Sequence, residues 1–393
     1  MKKIILIAIS TLIICGIANA QQSTETNLTS QTDTVNFFDY LKKNGQEPQK
    51  YILDKLKNHK LVIYGEIHKR KASWDLLKSI IKEPSFSKNT GIVFLEIGHD
   101  NQEKMDQFFS NKKMNKEILL DIFRNGQMQG WDDRGMYEFV IDLWNLNKKL
   151  PKKRRIKVIL ADISRPWDSL KTNEDFIKMY KSVPDRNQQM ADIIEKNIKS
   201  QIDKRSSLFI VGVFHTFKSK LTVGQNTYAS AGSLLKERFS DKEVFITCPH
   251  SAIISNDGKI TGMTQNGLFD YVFAQDGNKP IAFDLKDSPF GKEHFDMVPE
   301  IPSESIGTYE NCFDGYVFFK PLMDESPYYV LPELFTESFL QELRRRASIC
   351  GYDDWQEYGV KVKNITMDDI NKYLQGISQT KYWNNLKNAQ KEK

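Results

Sequence analysis

The chain has 393 residues, 40% hydrophobic, 27% charged and 11% aromatic, a balance that excludes collagen-like, coiled-coil and wholly disordered classes. At roughly 100–200 residues per domain, that length admits two or three domains, or one α/β domain with insertions. Lys and Arg number 56 against 51 Asp and Glu, a formal charge of +5 scattered through small clusters, which argues against a nucleic-acid partner.

In chain order, Lys2-Lys3, an apolar run from Ile4 to Ile17 and Ala18-Asn19-Ala20 read as a signal peptide over residues 1–20. The mature protein is expected to start at Gln21 and to be exported, to the periplasm or beyond. The apolar run is shorter than the about 20 residues of a membrane span, so no transmembrane anchor is expected after processing. Cys15 follows Ile14, a poor lipoprotein cleavage residue. Loss of Lys2 and Lys3 takes the charge from +5 to +3. Residues 21–35, rich in Gln, Ser, Thr and Asn, are expected to form a flexible leader. Cys248, Cys312 and Cys350 remain, too few for a disulfide framework but enough for one pair in an oxidising compartment.

From residue 36 to 330 the pattern is α/β. Leu61–Tyr64, Ile92–Leu95, Val158–Ala161, Leu208–Val211 and Val244–Thr247 are short apolar, β-branched runs, as expected of strands buried on both faces. Between them Trp74–Ile81, Gln102–Phe109, Met136–Leu146, Arg186–Ile202 and Ala231–Phe239 carry apolar residues at helical spacing. This alternation predicts a mostly parallel central sheet covered by helices, with a helical insertion over 111–150 after the second strand. Tyr271–Ala274, Ile281–Leu285 and Tyr316–Phe319 are predicted as further strands, and 331–393 as a helical C-terminal extension. Lys148–Arg155 reads as a solvated turn, His59 as solvent-facing, and Pro289–His294 as a loop covering the site.

Chemistry enters where the strands end, because carboxyl ends of parallel strands line the ligand crevice. The first run ends in Gly65-Glu66-Ile67-His68, the second in Glu96 with His99 beyond, the third in Asp162 with Arg165, the fourth in Gly212-Val213-Phe214-His215. Each has an ordinary alternative: Glu66 and Asp162 as helix caps, Asp162 and Arg165 as a structural ion pair, His215 as a hydrogen-bonded loop residue. Glu96 is harder to place that way, since a carboxylate inside a buried run requires a cation or metal. Their coincidence on one rim points to a site. No G-x-G-x-x-G, Walker loop, G-x-S-x-G elbow or zinc-type Cys spacing is present.

These residues, together with Asp185-Arg186-Asn187-x-x-Met190-Ala191, Gly212-x-x-His215-Thr216, Ala231-Gly232-Ser233-Leu234-Leu235, and Trp131, Glu138, Trp144 and Asn147 in the insertion, resemble the superfamily of erythromycin esterases, ChaN-like haem-binding proteins and Tiki/TraB metalloproteases. The resemblance runs from about residue 58 to 290. It implies a catalytic cluster of Glu66, His68, Glu96 and His215. The Tiki/TraB branch further implies His68 and His215, each ending a G-x-x-H motif, as metal ligands. One residue separates Glu66 from His68 where erythromycin esterases usually carry one more, and Lys69-Arg70 follows in place of their glycine.

Independently of the resemblance, a neutral imidazole held by a carboxylate can deprotonate water for attack on an ester, lactone or amide of a small-molecule or peptide substrate. His68 or His215 would serve. Arg165 or Arg70 would stabilise the oxyanion, with Asp162 beside them in the substrate-binding set. In a metal-assisted version His68, Glu96 and His215 would bind one divalent ion. The alternative is a haem or iron-binding protein using Tyr64, Tyr271 or a rim histidine; a silent binding module is the third class.

Overall fold

The computed structural model describes residues 31–223, 226–254, 260–298, 306–325 and 329–376. The signal peptide and the leader up to residue 30 therefore lie outside the described residues. A helix already runs over Gln31–Asn44, so the expected leader is helical in its last five residues. No described helix is long and apolar enough to cross a membrane.

Seven strands make the central sheet: β1 (Leu61–Glu66), β2 (Thr90–Gly98), β3 (Lys157–Asp162), β4 (Ser206–Gly212), β5 (Val244–Pro249), β6 (Ile281–Asp284) and β7 (Gly315–Phe318). Their order is β6-β7-β5-β1-β4-β2-β3. All neighbours run parallel except β6 against β7. Each predicted run from Leu61 to Thr247 is a strand for the expected reason: alternate residues feed two cores. Val62, Tyr64, Val93, Leu95, Leu208 and Ile210 face one apolar cluster, while Leu61, Ile63, Ile92, Phe94, Phe209 and Val211 face the other.

On the first face lie α1 (Lys71–Lys82) and the insertion helices α2 (Lys116–Asn125) and α3 (Arg134–Lys149). On the second lies α4 (Arg186–Lys199), opened by Asp185, whose carboxylate accepts from the N–H groups of Asn187 and Gln188. The helix α5 (Glu337–Cys350), within the expected C-terminal extension, contributes Phe339, Leu340 and Leu343 to the first core.

Several expectations change. Tyr271–Ala274 lies in a helix, Leu268–Gln275, not a strand. Phe269, Val272 and Phe273 are buried there at three- and four-residue spacing while Tyr271 is exposed, and so short an apolar run cannot separate the two periods. His59 is half-buried, its ring 5.0 Å from that of Phe245 and Nδ1 bonded to Lys55 O. Pro289–Lys292 is a short helix whose Phe290 packs on Phe37 and Phe283, in the second core. Cys248, Cys312 and Cys350 are buried and free.

Candidate functional site

Four neighbouring strands, β1, β4, β2 and β3, bring their carboxyl ends to one rim. Glu66 pairs in register with Gly212, and Gly98 with Asp162. Between Leu95 and Gly98 the β2–β3 register shifts, an irregularity of the kind that re-aims a side chain, and Glu96 sits inside it.

Glu66 is fully buried, and its Oε1 lies 2.5 Å from His68 Nδ1. His68 keeps 44% of its side chain accessible, its ring 4.8 Å from Trp131 in an edge contact. Gly212 makes this placement feasible: a Cβ there would come within 2.9 Å of His68 Cε1 and 3.4 Å of Glu96 Oε2. The next residue, Lys69, takes a left-handed φ of 67°, costly for a residue with a Cβ. It is held by three bonds: its N–H donates to Asp133 at 2.8 Å, its carbonyl accepts from Tyr329 N–H at 2.7 Å, and its Nζ pairs with Asp132 at 2.7 Å.

Glu96, 1% exposed, has both oxygens engaged. Oε1 accepts from Arg186 Nη2 at 2.5 Å and Oε2 from the Gly212 N–H at 2.7 Å. Arg186 also donates to Asp162 at 2.6 and 2.9 Å. Asp162 further accepts from Gln127 at 2.8 Å and, at a longer 3.4 Å, from Arg165. His215 Nε2 faces Glu96 Oε1 at 3.5 Å, and its Nδ1 lies 2.6 Å from Asn187 Oδ1. Because that oxygen can only accept, Nδ1 carries the proton and the neutral ring leaves Nε2 free as an acceptor.

The two histidines titrate in opposite directions. Burial opposes charge on both. At His68 the Glu66 carboxylate, its hydrogen bond and the charges of Glu96 and Asp133 outweigh burial and raise the pKa to about 9, a pull that solvent contact partly screens. At His215 burial, reinforced by Arg186 and His68, lowers it to about 4 against the attraction of Glu96. Burial would push Glu96 and Asp162 up as well, but Arg186 holds both below the usual carboxylate range.

The sequence-derived residues Glu66, His68, Glu96, Asp162, Arg165 and His215 thus meet on one rim. Arg70 is turned elsewhere: it is buried, and its Nε pairs with Glu325 at 2.6 Å. Asp162 is committed to Arg186 and serves to hold that guanidinium. His99 bonds through Nδ1 to Leu160 O at 2.6 Å. Sequence reasoning missed the roles of Arg186 and Asn187, whose signal was an Arg-Asn pair behind the Asp185 cap. Of the tyrosines considered for iron, Tyr64 is buried with its hydroxyl bonded to Ser73, and Tyr271 is exposed on its helix.

Donor atoms of Glu66, His68 and Glu96 lie within 4.8 Å of one another, and Glu66 Oε2 is buried with no hydrogen-bond partner among the described residues. One imidazole and two carboxylates with an orphaned oxygen suit a divalent cation. The set expected from the sequence, His68, Glu96 and His215, shares two members with this group.

No family model and no curated protein matches the chain. Solved structures do. One described as a succinoglycan biosynthesis protein is similar at 12% identity and a TM-score of 0.53, covering 74% of this chain and 98% of that one. An erythromycin esterase mutant, EreC in its open conformation, is similar at 10% identity and a TM-score of 0.47, covering 68% and 92%. The haem-bound ChaN of Campylobacter jejuni is similar at 14% identity and a TM-score of 0.36, covering 55% and 94%. At 12% identity the first is a likeness of fold alone, and the chain shares that fold.

Proposed function

We propose that the protein is an exported hydrolase that cleaves an ester, lactone or amide bond with a water activated by the Glu66, His68, Glu96 and His215 cluster. One arrangement carries this reading: two imidazoles at one rim, His68 held by Glu66 at 2.5 Å and His215 facing the buried Glu96 at 3.5 Å, surroundings that push the first above neutrality and the second below it. Titratable groups driven apart in this way divide acid from base. Export rests on the signal-peptide pattern of residues 1–20.

His215 Nε2 takes a proton from water as its oxygen attacks the carbonyl carbon, and the imidazolium so formed gains Glu96 as counter-charge. His68, protonated across the neutral range, stabilises the developing oxyanion and gives a proton to the leaving oxygen or nitrogen. Glu66 keeps its ring oriented and charged. A carboxylic acid and an alcohol or amine result. Arg186 fixes Glu96, Asn187 fixes the His215 tautomer, and Arg165 stands at the rim for the substrate.

Glu66 Oε2, without a hydrogen-bond partner among the described residues, favours a metal-assisted variant in which His68 would be neutral and a ligand, and the ion would take over its role at the oxyanion. A divalent ion held by Glu66, His68 and Glu96 would supply Lewis acidity at the rim. The haem alternative draws no support from Tyr64, whose hydroxyl is enclosed.

The test is turnover of a panel of activated esters, lactones and amides by the wild type, His68→Ala and His215→Ala, with melting curves alongside and a chelated arm. Each histidine variant should lose about a hundred-fold or more in kcat/KM with little change in melting temperature. Unchanged turnover in both ends the hydrolase reading. Activity lost on chelation and restored by a divalent ion assigns the metal-assisted form; activity that survives assigns the metal-free one.

A further inference from the structure

At the opposite end of the sheet, where β2, β3 and β4 begin, Arg205 gathers three loops. Its Nη1 donates to the carbonyls of Ser87, Thr90 and Arg154 at 2.9–3.1 Å, and its Nη2 to that of Arg155 at 3.2 Å. Asp203 balances the guanidinium at 2.7 Å, and Gln201 closes the same loop through Arg205 O at 3.0 Å. The hub therefore spends its charge on backbone and turns the neighbouring side chains outward. Lys88, Lys152, Lys153, Arg154, Arg155 and Lys204 are all exposed. Among the described residues none of these six stands in an ion pair, whereas Lys199, five residues before Lys204, is paired with Glu195.

A second observation is independent of charge. Ile202, at the tip of the loop that Arg205 closes, is 100% exposed and only three residues from that hub, within about 10 Å along the chain. It is the most exposed large apolar side chain among the described residues, and the loop that carries it is fastened through Arg205 to the basic turn at Arg154 and Arg155. Unpaired cations around an exposed branched apolar side chain, on a backbone already fastened, are the chemistry of a surface that meets phosphate headgroups and seats one side chain at the acyl boundary.

We propose that this face docks on an anionic lipid bilayer, the cations meeting headgroup phosphates and Ile202 entering the interface. The strands are at least six residues long here, which sets the hydrolytic rim roughly 20 Å away and facing the solvent. Docking is thus separate from the chemistry.

The experiment is sedimentation of the full mature chain with vesicles of phosphatidylcholine alone or with added phosphatidylglycerol, from ~0.05 to ~0.5 M salt. Binding is expected only with phosphatidylglycerol and should weaken as salt rises. The double variant Lys152→Glu, Lys153→Glu should bind at least about ten-fold less. Ile202→Ser should lose the component that survives high salt, with the melting temperature and ester turnover of both variants unchanged. Absence of binding to the anionic vesicles, or binding indifferent to the lysine pair, overturns the proposal. So does equal vesicle binding by Ile202→Ser together with tight binding to soluble heparin, which would make the face a polyanion site.

Discussion

Glu96 alone would raise the pKa of both histidines, so their divergence depends on what else each one meets. His68 has a second carboxylate, Glu66, at 2.5 Å; His215 has Arg186 and His68 as neighbouring cations and is more enclosed. If catalysis requires His215 neutral and His68 protonated, kcat/KM falls as pH drops through about 4 and again as it rises through about 9. Glu66→Gln removes the charge that raises His68, so its alkaline limb should move to lower pH; an unmoved limb would exclude His68 as the acid. Gly212→Ala forces a Cβ to within 2.9 Å of the His68 ring, and activity should fall at least ten-fold while the melting temperature stays near wild type. Stability lost in step with activity would refute the local account. Much of this cluster was legible, because Glu66, His68, Glu96 and His215 interrupt or follow apolar runs where polar groups have no packing role. The role of Arg186 was not: the residue stands in the Asp185-Arg186-Asn187 motif, but its carboxylate partners lie 24 and 90 positions away, and beside Asp185 it reads as an ordinary first helical turn.

Among the elements, α3 and the loop before it set the geometry that the rim needs. Asp133 caps α3 through the Met136 N–H at 3.1 Å, accepts from Trp74 Nε1 at 3.0 Å, and holds the strained Lys69 through its N–H. Burial, with the Glu66 charge behind it, raises this carboxyl to about 6. Asp133→Ala orphans three donors and should cost about 1–3 kcal/mol, seen as a melting temperature lower by several degrees, with activity reduced as Lys69 relaxes. Asp133→Asn keeps an acceptor and should lie between the two; an alanine variant as stable and active as wild type would remove Asp133 from the account. The strands were readable as short β-branched runs apolar on both faces, and most helices because apolar residues recur at three- and four-residue spacing over several turns. Leu268–Gln275 was not, since its aromatic and β-branched composition favours a strand and only the burial of Phe269, Val272 and Phe273 around an exposed Tyr271 reveals a helix.

In the molecule as a whole, the C-terminal helices complete the first core. Leu331, Leu334, Phe339, Leu340 and Leu343 join the cluster that holds Val62 and Leu95. Arg346, fully buried, fastens α5 to the insertion by donating to the carbonyls of Arg124, Gln127 and Met128 and to Asn125, with Glu342 as its counter-ion. Helical spacing after Phe335 was visible in the sequence, whereas this docking was not, for carbonyl partners leave no pattern of residue type. Arg346→Ala leaves its acceptors in the insertion without a donor, while Glu342 keeps Arg345 as counter-ion, and should destabilise by about 1–3 kcal/mol, measured by denaturant unfolding; a loss near zero would show the extension to be an appendage. The central claim, that one fold keeps two imidazoles at one carboxylate in opposite protonation states, is tested most directly by nitrogen-15 NMR of the histidine rings at pH 7, assigned with His68→Gln and His215→Asn. The account expects a doubly protonated ring for His68 and a neutral ring carrying its proton on Nδ1 for His215. Both rings neutral, or both charged, would contradict it.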